Sequence, residues 1–252
     1  MTGIFDSGLG GLSVLREITR ILPGEEYVYY ADSAHCPYGE KSREYVIDRA
    51  ESITGELIGK GAGLIVVACN TATAAAIGTL RAKWPDVPFV GMEPAVKPAA
   101  LNTRSGVIGV LATAGTLKGG NYLDLRERYS DRVKVVEHVG RGFVELVESG
   151  ITDGPEVEPA VHASLQPLLD AGADTIVLGC THYPFLEPVI RRVAGPGIDI
   201  INPAPAVARR VASLLPGENL RNGSPEINFL SSAGEEAERR MESFWESVKV
   251  VL

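Results

Sequence analysis

The sequence contains few cysteines, and their spacing excludes two common roles for them. Three cysteines stand at positions 36, 69 and 180 of the 252 residues. An odd number at such wide separations fits neither a disulfide framework nor the paired spacing of zinc ligands. We therefore expect free thiols, no bound metal and a reducing, cytoplasmic compartment.

The sequence also lacks long apolar runs and clustered positive charge. No apolar stretch approaches the length of a membrane span, and the N-terminus has no basic segment followed by an apolar one, so we expect no membrane association. The formal net charge is −8, and Lys and Arg are scattered rather than grouped in a stripe. We therefore expect no direct nucleic acid binding.

Short apolar runs alternate with helical patterns along the chain. This alternation predicts an α/β protein with parallel sheets. The predicted strands cover residues 3–5, 27–31, 64–68, 89–91, 107–111, 133–137, 175–178, 198–201 and 227–230.

The pattern repeats coarsely in two halves. We expect two similar, pseudo-symmetric domains, each a mostly parallel sheet flanked by helices, formed by residues 1–96 with 207–252 and by residues 97–206. Ligands of open α/β sheets bind beyond the carboxyl ends of the strands, so we expect the active site in the interdomain cleft.

Two of the cysteines follow matching apolar runs, one in each half. Cys69 lies in VVACNT at residues 66–71, and Cys180 lies in VLGCTH at residues 177–182. The pattern places both sulfurs where a strand becomes a helix, and unpaired N–H groups and the helix dipole lower a thiol pKa there. Two such thiols suggest a base and an acid, whereas each taken alone is typical of a small buried hydrophobe.

Further polar residues follow predicted strand ends. Asp6 precedes a glycine-rich turn, where it could cap the next helix, assist a thiol or orient a substrate ammonium group. The glycines do not form a dinucleotide-binding pattern, so no nicotinamide or flavin is expected. His182 lies two residues after Cys180 and is a natural proton partner for that site.

Neutral hydrogen-bond donors complete the predicted site. Asn70, Thr71 and Thr181 follow the cysteines at predicted helix N-termini, which suit an amino-acid α-carboxylate. The turn-rich segment Pro37-Tyr38-Gly39 could close over the ligand, with ordinary surface packing of Tyr38 as the alternative.

Four motifs occur in a characteristic order. They are DSGLGGLSVL at residues 6–15, PYGEKS at 37–42, ACNTA at 68–72 and GCTHYP at 179–184. With them the chain resembles the glutamate racemases, cofactor-independent enzymes that make D-glutamate for bacterial peptidoglycan. It departs from the family pattern at residues 140–142, Gly-Arg-Gly for the frequent Cys-Pro-Leu, and at residues 202–203, Asn-Pro for Asp-Ser.

The resemblance implies roles for particular residues. Cys69 and Cys180 would be the proton donor and acceptor, with Asp6 and His182 assisting them. The implied substrate-binding residues are Asp6, Ser7, Tyr38, Gly39, Asn70, Thr71, Thr181 and His182, and Pro37 and Glu148 are further candidates. The implied substrate is L- or D-glutamate, no cofactor is needed, and we expect a homodimer.

Two other functions stay open from the residues. A regulatory protein could keep the amino-acid site without doing chemistry, although it would not need two thiols. A racemase for aspartate, or for a broader set of amino acids, would differ only in the side-chain pocket.

Overall fold

The computed structural model describes residues 1–215 and 224–249, which form two compact units. Unit 1 comprises Met1–Met92 with Ala204–Leu252, and unit 2 comprises Glu93–Pro203. Unit 1 is therefore formed by two separate stretches of the chain, and unit 2 by the single stretch between them.

Unit 1 is built on a five-stranded sheet. Its strands are β1 (Thr2–Asp6), β2 (Glu26–Ala31), β3 (Leu64–Val67), β4 (Phe89–Gly91) and β9 (Glu226–Ser231). They are parallel and have the order β4-β3-β1-β2-β9. The helices of this unit are α1 (Leu12–Ile21), α2 (Arg43–Gly59), α3 (Asn70–Lys83), α10 (Ala204–Leu214) and α11 (Glu235–Val248), with short 3-10 helices at Ser33–His35 and Tyr38–Glu40.

Unit 2 is built on a four-stranded sheet. Its strands are β5 (Val107–Ala112), β6 (Lys134–Val139), β7 (Thr175–Gly179) and β8 (Asp199–Ile201), parallel and in the order β6-β5-β7-β8. The helices are α4 (Val96–Asn102), α5 (Ala114–Leu117), α6 (Gly120–Arg128), α7 (Phe143–Glu148), α8 (Val157–Asp170) and α9 (Glu187–Ala194), and Tyr183–Leu186 is a 3-10 helix.

The two sheets share one topology. The order β4-β3-β1-β2 in unit 1 matches β8-β7-β5-β6 in unit 2, and β9 extends only the first sheet. The interior strands β3 and β7 are buried along their whole length, because helices cover both faces of a parallel sheet. The predicted α/β class with two similar parallel sheets is confirmed.

The strand pairing brings the predicted polar residues of each unit to one sheet edge. In unit 1, Phe5 pairs with Val67, and the Asp32 amide donates to the Asp6 carbonyl at 2.9 Å. The residues that follow β1, β2 and β3 are thus neighbours. In unit 2, Ala112 pairs with Gly179 in the same way, so the end of β5 adjoins the end of β7.

Within residues 1–215 and 224–249, no helix is both long and apolar enough to cross a membrane.

Candidate active site

Cys69 lies at the junction between β3 and α3. It has an extended backbone, with φ −136° and ψ 121°, and is the N-cap residue of α3. Its sulfur accepts a hydrogen bond from the Ala72 amide at 3.5 Å. The prediction that this sulfur lies at a helix N-terminus is confirmed, and both the amide and the helix dipole favour a thiolate there.

Asp6 organises the glycine-rich turn beside Cys69. Its Oδ2 accepts hydrogen bonds from the amides of Gly11 at 2.8 Å and Gly8 at 3.4 Å. Gly11 is required, because a Cβ there would lie 2.7 Å from both the Asp6 Cβ and the Tyr29 hydroxyl oxygen. Asp6 therefore does cap the turn into α1, and its carboxylate is fully buried at the sheet edge.

Asn70 and Thr71 are the first two residues of α3, directly after Cys69. Both are buried. The Asn70 side-chain nitrogen and oxygen have no hydrogen-bond partner among the described residues. Since a buried amide without partners costs about 1–3 kcal/mol, this side chain is typical of a group that meets a ligand. Ser7, which follows Asp6, is also buried, and its hydroxyl oxygen lies 4.0 Å from the Cys36 sulfur.

Tyr38 is a buried residue of unit 1, only 1% exposed, so ordinary surface packing is wrong for it. Its hydroxyl donates to the Asp32 carboxylate. Arg49 of α2 donates to the same carboxylate through Nε at 2.9 Å and Nη2 at 2.8 Å. Pro37 and Gly39, on either side of Tyr38, are half-buried.

Burial and hydrogen bonding have opposite effects on the pKa of Asp32, the carboxylate that Arg49 and Tyr38 share. Burial acts to raise the pKa of Asp32, but hydrogen bonds from Arg49 and Tyr38 hold it below its ordinary value. Burial and the neighbouring Asp32 charge raise the pKa of Tyr38 far above its usual range. Tyr38 is thus a neutral hydrogen-bond donor at physiological pH. Sequence reasoning missed Asp32 and Arg49, although Asp32 directly follows β2 and lies beside Asp6, the last residue of β1.

Cys180 follows β7 in unit 2 but does not begin an α-helix. Between it and α9 lies the 3-10 helix Tyr183–Leu186, which has Pro184 in its first turn. The prediction that Cys180 lies at the N-terminus of an α-helix is therefore wrong. The 3-10 helix that follows is so short that its dipole has little effect on the Cys180 thiol.

The polar neighbour of the Cys180 sulfur is the imidazole of His182. Its Nδ1 lies 3.7 Å from the Cys180 sulfur, and its Nε2 lies 2.6 Å from the Oε1 of Glu148, at the end of α7. A proton on Nε2 leaves Nδ1 to accept one from the thiol, and the carboxylate stabilises the imidazolium that results. Nothing in the local sequence pattern links Glu148 to His182; only the family resemblance pointed to it.

Tyr183 anchors the segment that carries Cys180, Thr181 and His182. Its hydroxyl donates to the Gly140 carbonyl at 3.3 Å, and its ring packs edge-on against Phe143 with centroids 4.9 Å apart. Thr181 and Tyr183 are both buried. Burial, reinforced by the Cys180 charge, raises the pKa of Tyr183 well above its usual range. This phenol is therefore a fixed structural donor.

Together, the fold and these residues define a class of protein. In each unit a buried cysteine lies just beyond the carboxyl end of an interior strand. The Ala72 amide contacts the Cys69 sulfur, and the His182 imidazole contacts the Cys180 sulfur. The class is that of α/β proteins with a buried thiol at a strand end of each sheet, and thiols are among the side chains that acid-base chemistry uses.

Comparison with known proteins identifies the family within that class. The model of the Asp/Glu/Hydantoin racemase family matches residues 6–211. A glutamate racemase of Roseiflexus sp. (strain RS-1) is 51% identical over 231 residues, which are 92% of this chain and 84% of that protein. The chain therefore belongs to the glutamate racemases of the Asp/Glu/hydantoin racemase family, and the family predicted from the four motifs is confirmed.

Solved structures agree with this assignment. Escherichia coli glutamate racemase, solved with L-glutamate and the activator UDP-MurNAc-ala, has a TM-score of 0.85 and 33% identity, covering 98% of this chain and 94% of that one. The Francisella tularensis enzyme, solved with D-glutamate, has a TM-score of 0.81 and 28% identity, covering 97% and 93%.

Proposed function

We propose that the protein interconverts L- and D-glutamate by two-base proton transfer, with Cys69 and Cys180 as the two bases. One thiolate removes the α-proton and the other thiol delivers a proton to the opposite face of the same carbon. The observation that carries this proposal is the matched placement of one buried cysteine beyond an interior strand in each unit. Membership of the glutamate racemases supports glutamate as the substrate.

The two cysteines reach the reactive state by different means. Cys69 is favoured as a thiolate by the Ala72 amide and the N-terminus of α3, with Asp6 holding the adjacent turn. Cys180 has His182 as its proton partner, and Glu148 fixes the orientation of that imidazole. The substrate enantiomer decides which cysteine begins.

Stabilisation of the deprotonated substrate is the demanding part of this reaction. The α-proton is weakly acidic, and the carbanion spreads its charge onto the α-carboxylate as an enediolate-like species. We assign the carboxylate to Asn70, Thr71 and Thr181, and the unpartnered amide of Asn70 supports this role.

The remaining predicted residues are assigned to substrate contact around these donors. Ser7 follows Asp6 at the sheet edge, while Pro37 and Gly39 flank a tyrosine whose hydroxyl is already used by Asp32. A contact from Tyr38 to the substrate would therefore come through its backbone. The scheme uses no cofactor.

The biological role follows from the product. D-glutamate is a building block of bacterial peptidoglycan, and its synthesis places the enzyme in the cytoplasm. The relatives solved with L-glutamate and with D-glutamate support both enantiomers as ligands. We also propose that the protein acts as a homodimer.

The test is incubation with L-glutamate in deuterium oxide without added cofactor, following α-proton loss by NMR and optical activity by circular dichroism. We expect D-glutamate to appear with deuterium at Cα. Cys69→Ser and Cys180→Ser should each abolish racemisation while keeping the fold. Cys36→Ser changes the half-buried third cysteine, which has no assigned role, and should remain active.

Other results would replace the proposal. Full activity in either of the first two variants would refute the two-thiol assignment. Turnover of L-aspartate alone would indicate an aspartate racemase, and binding of glutamate without exchange would indicate a regulatory binding protein.

A further inference from the structure

A buried ion pair between Asp32 and Arg49 lies at the edge of the unit 1 sheet, and neither residue is assigned to substrate. Asp32 is fully buried, and three hydrogen bonds reach its carboxylate from Arg49 and Tyr38. Arg49 holds both carboxylate oxygens in a bidentate fork, which fixes the direction of the carboxylate as well as its charge.

Tyr38 connects Asp32 to the part of the unit 1 core that contains Cys69. Tyr38 and Cys69 belong to one buried cluster, together with Ala72 at the start of α3. After burial and Asp32, a negative charge on Cys69 is a further cause that raises the pKa of Tyr38. Arg49, whose side chain is 24% exposed, is thus joined to the Cys69 environment through two residues of the same unit.

We infer that Arg49 is a positioning residue for Cys69, acting through Asp32 and Tyr38. This inference rests on the proposed function. Arg49 has two effects. Its fork orients the carboxylate that holds the Tyr38 ring in place, and its positive charge offsets the negative charge of Asp32, which would otherwise disfavour a thiolate at Cys69.

Substitutions at Arg49 separate these two effects. Arg49→Lys keeps the charge and loses the fork, whereas Arg49→Gln loses both. We expect kcat to fall on the order of 10-fold in Arg49→Gln, because an uncompensated Asp32 lowers the thiolate fraction of Cys69, and to fall less in Arg49→Lys. KM should change little, since Arg49 is not assigned to substrate.

Isotope effects show whether the fall occurs at Cys69. With the enantiomer whose α-proton Cys69 removes, a slower Cys69 step makes that removal more rate-limiting, so the α-deuterium isotope effect on kcat rises. With the other enantiomer, Cys180 removes the proton and Cys69 delivers one later, so the isotope effect falls. A general loss of structure would move both isotope effects together.

A double-mutant cycle tests the path through Tyr38. Tyr38→Phe removes the hydroxyl that Asp32 accepts, so Arg49→Lys should have a much smaller effect on kcat in the Tyr38→Phe background than in the wild type. Additive effects of the two substitutions would overturn the inference.

Unit 2 contains a matched control of the same composition. Tyr122 and Arg126 each donate to the Oε1 of Glu137 at 2.8 Å, forming a second tyrosine, carboxylate and arginine cluster. We expect Arg126→Lys and Arg126→Gln to change thermal stability without moving either isotope effect.

The outcomes separate the inference from the proposed function. A wild-type protein that does not racemise glutamate refutes the proposed function. If the wild-type protein racemises glutamate but the two isotope effects of the Arg49 variants move together or stay unchanged, only the inference about Arg49 is overturned.

Discussion

The fit of Tyr183 against Gly140 gives a sharp test of how unit 2 holds its cysteine. An alanine Cβ at position 140 would lie 2.7 Å from the Tyr183 hydroxyl oxygen, 2.8 Å from Tyr183 Cζ and 2.8 Å from Phe143 Cδ2. All three atoms belong to rings packed in the core, so the ring of Tyr183 must move.

The expected loss of stability in Gly140→Ala is the sum of two contributions. Overpacking a core by one methyl group costs about 1–3 kcal/mol. Weakening the hydrogen bond from Tyr183 to the Gly140 carbonyl adds about 1 kcal/mol. For Gly140→Ala we therefore expect unfolding to require about 3 kcal/mol less, which lowers Tm by roughly 6–12 °C in a protein of this size.

Gly140→Ala should also lower the rate of racemisation. Tyr183 directly follows His182, so its displacement moves the imidazole away from Cys180, and we expect kcat to fall more than KM rises. Calorimetry and a circular dichroism assay of racemisation measure the two effects. The control is Gly120→Ala at the start of α6, where an added Cβ meets no described atom within 4 Å. An unchanged Tm and kcat in Gly140→Ala would refute the reasoning.

Three further predictions follow from single side chains. Asn70→Ala removes an unpartnered buried amide, so thermal unfolding should show equal or higher stability, while KM for glutamate rises about tenfold; an unchanged KM would exclude substrate contact. Although burial acts to raise it, hydrogen bonds led by that from Thr103 lower the pKa of Asp174 to about 2. Its stabilisation, on the order of 2 kcal/mol, is present above about pH 4 and lost as the pH falls toward 2, and urea titrations should show that Asp174→Asn removes this dependence. Glu148→Gln should lower kcat roughly tenfold at nearly constant KM, and an unchanged kcat would show that Glu148 does not orient His182.

The sequence predicted the strands well for a physical reason. Buried parallel strands are covered on both faces, so they appear as continuous apolar runs such as residues 64–67. The same rule located Cys69 at a strand end. The type of helix after Cys180 was less predictable. The segment Tyr183–Leu186 has only four residues, which are too few for the spacing of apolar side chains to distinguish a 3-10 helix from an α-helix.

The polar partners could not be predicted from local pattern. Arg49 lies in the middle of α2, where a sequence alone indicates an exposed, solvated side chain. Its partner Asp32 is 17 residues away, and Glu148 is 34 residues from His182. Such pairs depend on tertiary packing, so only a resemblance to known proteins, as for Glu148, or a structure can find them.

The return of the chain to unit 1 has a consequence for protein synthesis. Strand β9 pairs with β2 along its whole length, yet it is made only after Glu93–Pro203 is complete. A growing chain therefore offers unit 2 as a finished, contiguous folding unit while β2 still has an open edge that can pair with other chains. On the ribosome we expect unit 2 to become protease-resistant first, and unit 1 to follow only when its last strand emerges.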